Sequence, residues 1–385
     1  MLKSTKKIYL DYASSALPDS ANPGAFHELG VQEKNKLEEA RGIVAKILHA
    51  HEDEIIFTSG ATESNNLAIL GFSKGHIVTT NIEHASVLET CKHKGDVTLV
   101  EVEKNGIVDP KKIKKALRPD TVLVSVMYAN NEIGTIQPIR EIAKEIRHYN
   151  KKYPYPTSPY SRGRRKEGVI FHTDATQAVN YLPINVEKLG VDLMSFNSAK
   201  IYGPKGVGVL FKRKNVPLAP LMRGGNQEFG FRPGTENVAL ALGLARALQM
   251  TEKIKEKEVK RLTELRNYFL SELEHSHILK NVGMILNGDR EHRLPNNVNI
   301  TIPNIPSDLL VIELSAKGVM ASAKSACKSG DGKASHVLQA INKKIKEEDG
   351  SIRFSLGRQT TKSDIDYTVK SLSQILTKLK KWYLP

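Results

Sequence analysis

Cysteine is almost missing from this chain. Cys91 and Cys327 are the only two in 385 residues, which excludes a secreted disulfide scaffold. Two cysteines so far apart could pair, but a single long-range disulfide has little to recommend it in a cytosolic chain, so each thiol is better asked what it does. Long apolar runs are missing as well. The longest, around Thr121 to Ala129, falls far short of the roughly 20 residues a membrane helix needs. The basic N-terminus is followed only by the short Ile8-Tyr9-Leu10 and not by a signal core. These absences predict a soluble cytoplasmic protein with no membrane partner. No internal repeat or low-complexity tract stands out.

What is present reads as globular. Hydrophobic residues at 40% and charged residues at 26% are an ordinary folded balance, not a disordered one. The length suits about two to three domain-sized units. The net charge of +15 attracts anionic partners, or serves solubility alone. No dedicated nucleic-acid motif accompanies it, so direct nucleic-acid binding is not expected.

Apolar β-rich runs alternate with helix-period segments. Seven runs read as strands: Glu54 to Thr58, Ile77 to Thr80, Val97 to Val102, Thr121 to Val126, Val169 to Thr173, Leu193 to Phe196 and Gly208 to Phe211. Helical stretches lie between several of them, at Leu37 to Leu48, from Ser64 to Leu70 and at Ile139 to Tyr149. Such alternation predicts an α/β fold with a mixed or mostly parallel sheet. Beyond residue 236 the pattern changes. An apolar helix over Val238 to Met250 precedes a charged amphipathic one over Thr251 to His275, then short strands near Asn297 to Ile302 and Ser351 to Ser355, then two closing helices. The expected division is a large unit over 14–244 and a smaller α+β unit over 1–13 and 245–385. The segment from Lys151 to Gly168 fits neither unit. It holds three prolines and six basic residues against one acid, which reads as a surface loop.

Three segments carry chemistry. Phe57-Thr-Ser-Gly60-Ala61-Thr62-Glu-Ser64 reads as a strand end, a turn and a helix start, which gathers N–H groups and hydroxyls into an anion site. Thr62 and Ser64 would equally serve as helix caps. In Val169-Ile-Phe-His-Thr-Asp174-Ala-Thr-Gln177, an acid ends a buried strand, where it is costly unless it meets a cation such as a pyridinium nitrogen. A helix cap is the plainer alternative. In the third segment Lys200 follows an apolar strand and precedes the turn Gly203-Pro-Lys-Gly206. A lysine desolvated there can form a Schiff base, whereas a lone lysine before a turn is ordinarily just solvated.

Taken together these segments resemble the cysteine desulfurases, within the class V aminotransferase-like pyridoxal-phosphate enzymes. The resemblance runs nearly end to end through TSGATESNNLAI, EHASVL, ANNEIGTIQPI, HTDATQ, KIYGPKGVG, RPGTENV, SACKSG and SIRFSLGR, in the family's order. It implies a fold-type I enzyme: a large domain with a mostly parallel seven-stranded sheet flanked by helices, and a smaller α+β C-terminal domain. It also implies a homodimer with the active site at the subunit boundary, pyridoxal 5'-phosphate as cofactor and L-cysteine as substrate.

The resemblance gives roles to single residues. Lys200 would hold the cofactor and move the α-proton, Asp174 would pair with the pyridine nitrogen, and Gln177 would bond the ring phenolate. His84 would lie over the ring and take part in proton transfer. Ala61 and Thr62 would contact the phosphate, and Thr235 would reach the phosphate of the neighbouring subunit. Asn131 and Arg353 would hold the substrate carboxylate. Cys327, in the small polar segment Ser325 to Ser335, would take sulfur from the substrate as a persulfide and pass it to an acceptor, an iron–sulfur scaffold or a tRNA-thiolation enzyme. Lys324 and Lys328 flank it and favour the thiolate. Cys91 on a helix reads as structural.

Three departures from the family pattern stand out. The family's Ser and His ahead of the Schiff-base lysine are replaced by Asn197 and Ala199, so one usual phosphate contact is lost, and Asn197 or Ser198 is expected to supply a substitute. The basic segment of Lys151 to Gly168 reads as an insertion, either a solvated loop or a site for an anionic partner. The last helix ends close to Pro385, where family members that dock an iron–sulfur scaffold often continue, which leaves that docking open. Competing readings are a selenocysteine lyase or other class V enzyme, and a non-catalytic scaffold on the same fold.

Overall fold

A computed structural model describes residues 8–16, 20–72, 74–153, 168–323, 335–346 and 349–383. Cys327 with its flanking lysines, and most of the basic proline-rich segment, lie outside the described residues.

The first sheet has seven strands: β1 (Ile55–Thr58), β2 (His76–Thr80), β3 (Val97–Val100), β4 (Thr121–Ser125), β5 (Ile170–Asp174), β6 (Leu193–Asn197) and β7 (Gly208–Lys212). Their order is β1-β7-β6-β5-β4-β2-β3. All run parallel except β7, which pairs antiparallel with both neighbours. Each of the seven expected strands is present, shifted at its ends by a residue or two.

Apart from the edge strand β3, the strands are almost wholly buried and mainly apolar because both faces of the sheet are covered. Successive side chains alternate between two cores. Ile56, Ile77, Leu123, Leu193 and Leu210 face a core closed by α2 (Ala61–Leu70) and α3 (Ala85–Lys94). Ile55, Val78, Val124, Met194 and Phe211 face the other core, which is closed by α1 (Glu28–Leu48), α5 (Ile139–Lys152) and α7 (Val238–His275). In α5 the buried residues Ile139, Ile142, Ala143 and Ile146 recur at helical spacing. Between β3 and β4 lies α4 (Pro110–Ala116), and between β5 and β6 the single turn α6 (Val186–Leu189).

A second, fully antiparallel sheet follows. It comprises β8 (Ile285–Leu286), β9 (Asn297–Ile302), β10 (Ser322–Ala323) and β11 (Gly350–Ser355), in the order β10-β11-β9-β8. Around it lie α8 (His277–Asn281), α9 (Ser307–Ala316), α10 (His336–Ile341) and α11 (Lys362–Tyr383). The helical region over 238–275 differs from expectation. It is one helix of 38 residues, not two. Polarity changes at Met250 and Thr251, but no glycine or proline breaks the chain there, and Thr251 is buried. Among the described residues no helix is long and apolar enough to cross a membrane.

Candidate active site

The parallel sheet delivers its chemistry at one edge. β2, β4, β5 and β6 are parallel, and β1 shares their direction, since β7 opposes both β1 and β6. The carboxyl ends of these strands lead directly to Ala61 and Thr62, to His84, to Asn131, to Asp174 and to Asn197 through Lys200. Ligands of open α/β sheets bind at that edge. A cavity of about 610 Å³ lies there, lined by all these residues except Ser198, together with Gln177 and Arg353. Of the expected site residues among those described, Thr235 is not in its wall; it lies exposed in the loop ahead of α7.

At the phosphate-type turn, β1 ends and α2 begins at Gly60. This residue has φ +155 and ψ 177, and no side chain caps the helix. A Cβ at Gly208 would stand 2.6 Å from the Gly60 Cα, so the pairing of β1 with β7 needs glycine at that approach. The first-turn N–H groups of α2 have no intrahelical acceptor, which makes its N-terminus an anion site. Ser64, one of the two expected caps, is instead buried against Thr58, with the hydroxyls 2.8 Å apart.

Asp174 closes β5 and is held by two donors. The Thr176 N–H donates to Oδ1 at 2.9 Å, and Asn65 Nδ2 donates to Oδ2 at 2.8 Å. Lys200 ends a one-turn helix in which its N–H donates to Asn197 Oδ1 at 3.2 Å. Two residues on, Tyr202 is held at φ +63, costly for a bulky side chain. Its hydroxyl accepts from Arg358 N–H at 3.1 Å, and the Arg358 guanidinium stacks on its ring at 3.9 Å. Ser198 does not enter the cavity wall. It is fully buried, its hydroxyl has no partner among the described residues, and it faces Gly203.

His84 caps α3, its Nδ1 accepting from Ser86 N–H at 3.1 Å. The neighbouring Glu83 is buried, with Met127 N–H donating to both oxygens at 3.0 Å. Burial pushes its carboxyl up to about 8, against the pull of the Met127 and Thr80 hydrogen bonds. Asn130 and Asn131 divide the work that adjacent asparagines suggest. Asn130 supplies the turn, its Oδ1 accepting from Glu132 and Ile133 N–H at 2.8 and 3.0 Å, while Asn131 faces the cavity. Cys91 lies on the buried face of α3, and burial raises its thiol to about 12, as suits a structural residue. Sequence reasoning missed Asn65, Ser86 and Tyr202; the second residue of the Ser-Asn-Asn run was the one available signal.

The model of the aminotransferase class-V family matches residues 1–153 and 159–368. The chain belongs to that family. It is 43% identical over 400 residues to "Cysteine desulfurase IscS" of Dictyoglomus turgidum, covering 97% of this chain and 96% of that protein. Among solved structures, a "NifS-like protein" superposes with a TM-score of 0.81 at 36% identity, covering 93% of this chain and 92% of its own. A structure described as "SspA in complex with cysteine" superposes at 0.70 with 32% identity, covering 88% and 91% of the two chains. The fold is therefore that of the NifS-like, fold-type I enzymes.

Proposed function

We propose that this protein is a pyridoxal-phosphate-dependent cysteine desulfurase, converting L-cysteine to L-alanine and retaining the sulfur as a persulfide on Cys327. One observation carries the reading. A single cavity gathers an amine, an acid, an imidazole and a guanidinium from Lys200, Asp174, His84 and Arg353, in a chain closely related to desulfurases.

The residues fit the cofactor. The uncapped N-terminus of α2, with Ala61 and the Thr62 hydroxyl, suits a phosphate. Asp174 suits a pyridinium nitrogen, and Gln177 suits a phenolate. Thr176 Oγ1 and Asn296 Oδ1 belong to cavity-lining residues and are buried without hydrogen-bond partners among the described residues, as expected of a wall built around a polar group. Asn197 keeps its amide N–H groups for the phosphate, because only its Oδ1 is used internally. This supports Asn197, and not Ser198, as the substitute for the missing donors. When bound, the cofactor supplies an electron sink next to the substrate's α-carbon.

The chain's own residues do the rest. The Lys200 amine holds the cofactor and then accepts the α-proton at Nζ. His84 presents a ring nitrogen over the same space. Arg353 and Asn131 orient the substrate carboxylate. Cys327 as thiolate attacks the substrate Sγ. The new S–S bond replaces the substrate's C–S bond, whose electron pair stays on carbon and takes up a proton, so that alanine leaves. A thiol acceptor or reductant then collects the outer sulfur.

The same reading makes the protein a cytoplasmic homodimer, in which Thr235 reaches the partner's phosphate and the sulfur goes to an iron–sulfur scaffold or tRNA-thiolation enzyme. It divides the chain into units over 14–244 and over 1–13 with 245–385, joined by the unbroken α7. The test is stoichiometric: L-cysteine and a reductant should yield sulfide and alanine in equal amounts, and Lys200→Ala or Cys327→Ala should abolish both.

A further inference from the structure

Four side chains form a line from the acid of the site to its imidazole. Asn65 Nδ2 donates to Asp174 Oδ2 at 2.8 Å and to Ser86 Oγ at 2.9 Å, and Ser86 Oγ lies 2.8 Å from His84 Nδ1. Asn65 is fully buried, and its Oδ1 has no partner among the described residues. An amide turned the other way would set its oxygen against the Asp174 carboxylate. The orientation therefore answers to Asp174, at the cost of an idle acceptor.

The protons along the line are then determined. Both hydrogens of Asn65 Nδ2 are engaged. Ser86 Oγ receives one of them and keeps its own single hydrogen for His84 Nδ1, which the backbone N–H of Ser86 fixes as an acceptor. That nitrogen also faces the Ser86 N–H at 3.1 Å, a second donor. A hydrogen on Nδ1 would point at two others. Nε2 has no hydrogen-bond partner among the described residues, and His84 lines the cavity.

We infer that Asn65 and Ser86 are positioning residues that transmit the orientation of Asp174 to His84, holding its Nδ1 as an acceptor and its proton on Nε2. His84 then offers whatever occupies the cavity a hydrogen-bond donor and not a base. The consequence for turnover rests on the desulfurase reading; the proton assignment does not.

The test is a long-range ¹H–¹⁵N correlation spectrum of the pyridoxal-phosphate-loaded protein, labelled at histidine nitrogen and without substrate. His84 is assigned by the signals lost in His84→Gln. The wild type should show Nδ1 as a bare acceptor and Nε2 protonated. Asn65→Asp keeps the shape but accepts the Ser86 hydrogen, so the His84 nitrogens should move towards a mixture of the two tautomers. Ser86→Ala should shift Nδ1, and in that background Asn65→Asp should have no further effect on His84. A wild type protonated at Nδ1, an Asn65→Asp spectrum unchanged at His84, or an Asn65→Asp effect that persists without the Ser86 hydroxyl would each overturn the inference. Should Asn65→Asp not fold, Ser86→Ala alone decides, since an unmoved Nδ1 contradicts it. Sulfide production is measured separately, so loss of the desulfurase reading and loss of this assignment give different results.

Discussion

Arg353 Nη1 donates to the backbone carbonyl of Asn131 at 2.9 Å, tying β11 of the second sheet to the loop that leaves β4 of the first. Its Nη2 donates to Ser322 Oγ on β10 at 3.2 Å. The guanidinium is thus set in place before any substrate arrives. A hydrogen bond to a charged group contributes about 1.5–3 kcal/mol. Arg353→Ala should therefore lower kcat/KM for L-cysteine by roughly 10- to 100-fold, mostly through KM. Arg353→Lys should recover only part of this, because an ammonium cannot span both partners and a carboxylate. Steady-state kinetics with the two variants checks it.

Asn197 lines the cavity with its amide N–H groups unused, and Ala199, two residues on in the same wall, has no donor to offer. Asn197→Ala should weaken cofactor retention roughly tenfold or more, and Ala199→His should strengthen it. Titration of the stripped protein with pyridoxal phosphate, followed by visible absorbance, reads both directly.

Arg41 and Glu228 form a two-pronged ion pair at 2.9 Å, with side chains only 3% and 2% exposed. Phe57 N–H also donates to Glu228 at 2.8 Å, so the pair anchors α1, β1 and a turn in which Glu228 and Phe229 have φ of +47 and +57. Removing one partner leaves a buried charge. Arg41→Met should destabilise the fold by about 3–5 kcal/mol, and pairing it with Glu228→Met should recover part of the loss. Thermal unfolding midpoints of the single and double variants test this.

Two buried groups should shape stability against pH. Burial holds the His172 imidazole down at about 4, between the Ser125 and Ser195 hydroxyls. Between pH 4 and the ordinary value of 6.5 the unfolded chain binds the extra proton, so stability falls as pH drops through that window. Glu83 works in the other direction. Its folded value of about 8 lies above the ordinary 4.5, so stability falls as pH rises between the two. His172→Asn should flatten the acid limb of a denaturation profile, and Glu83→Gln the alkaline limb.

The seven strands were legible because a buried parallel sheet leaves continuous β-branched runs. The helices were legible where an apolar face repeats, as in α5. The start of α1 was not, because its first turns are charged on most sides and only Gly30 and Glu33 are buried there. The two-residue strands β8 and β10 exist only through pairing with β9 and β11, and no local pattern announces them. The site divides in the same way. The expected site residues stand out by residue type at strand ends and turns. Asn65, Ser86 and Tyr202 act through contacts between segments far apart in the chain, which neither periodicity nor spacing encodes.

The central claim is that Lys200 and Cys327 act in one reaction. The most direct test gives the purified, yellow protein L-cysteine and a reductant while sulfide and alanine are measured together. Equal amounts of both, with Lys200→Ala and Cys327→Ala each inactive, is the predicted result. A protein that stays inactive after pyridoxal phosphate is supplied, or a Cys327→Ala variant that still releases sulfide at the wild-type rate, would contradict it.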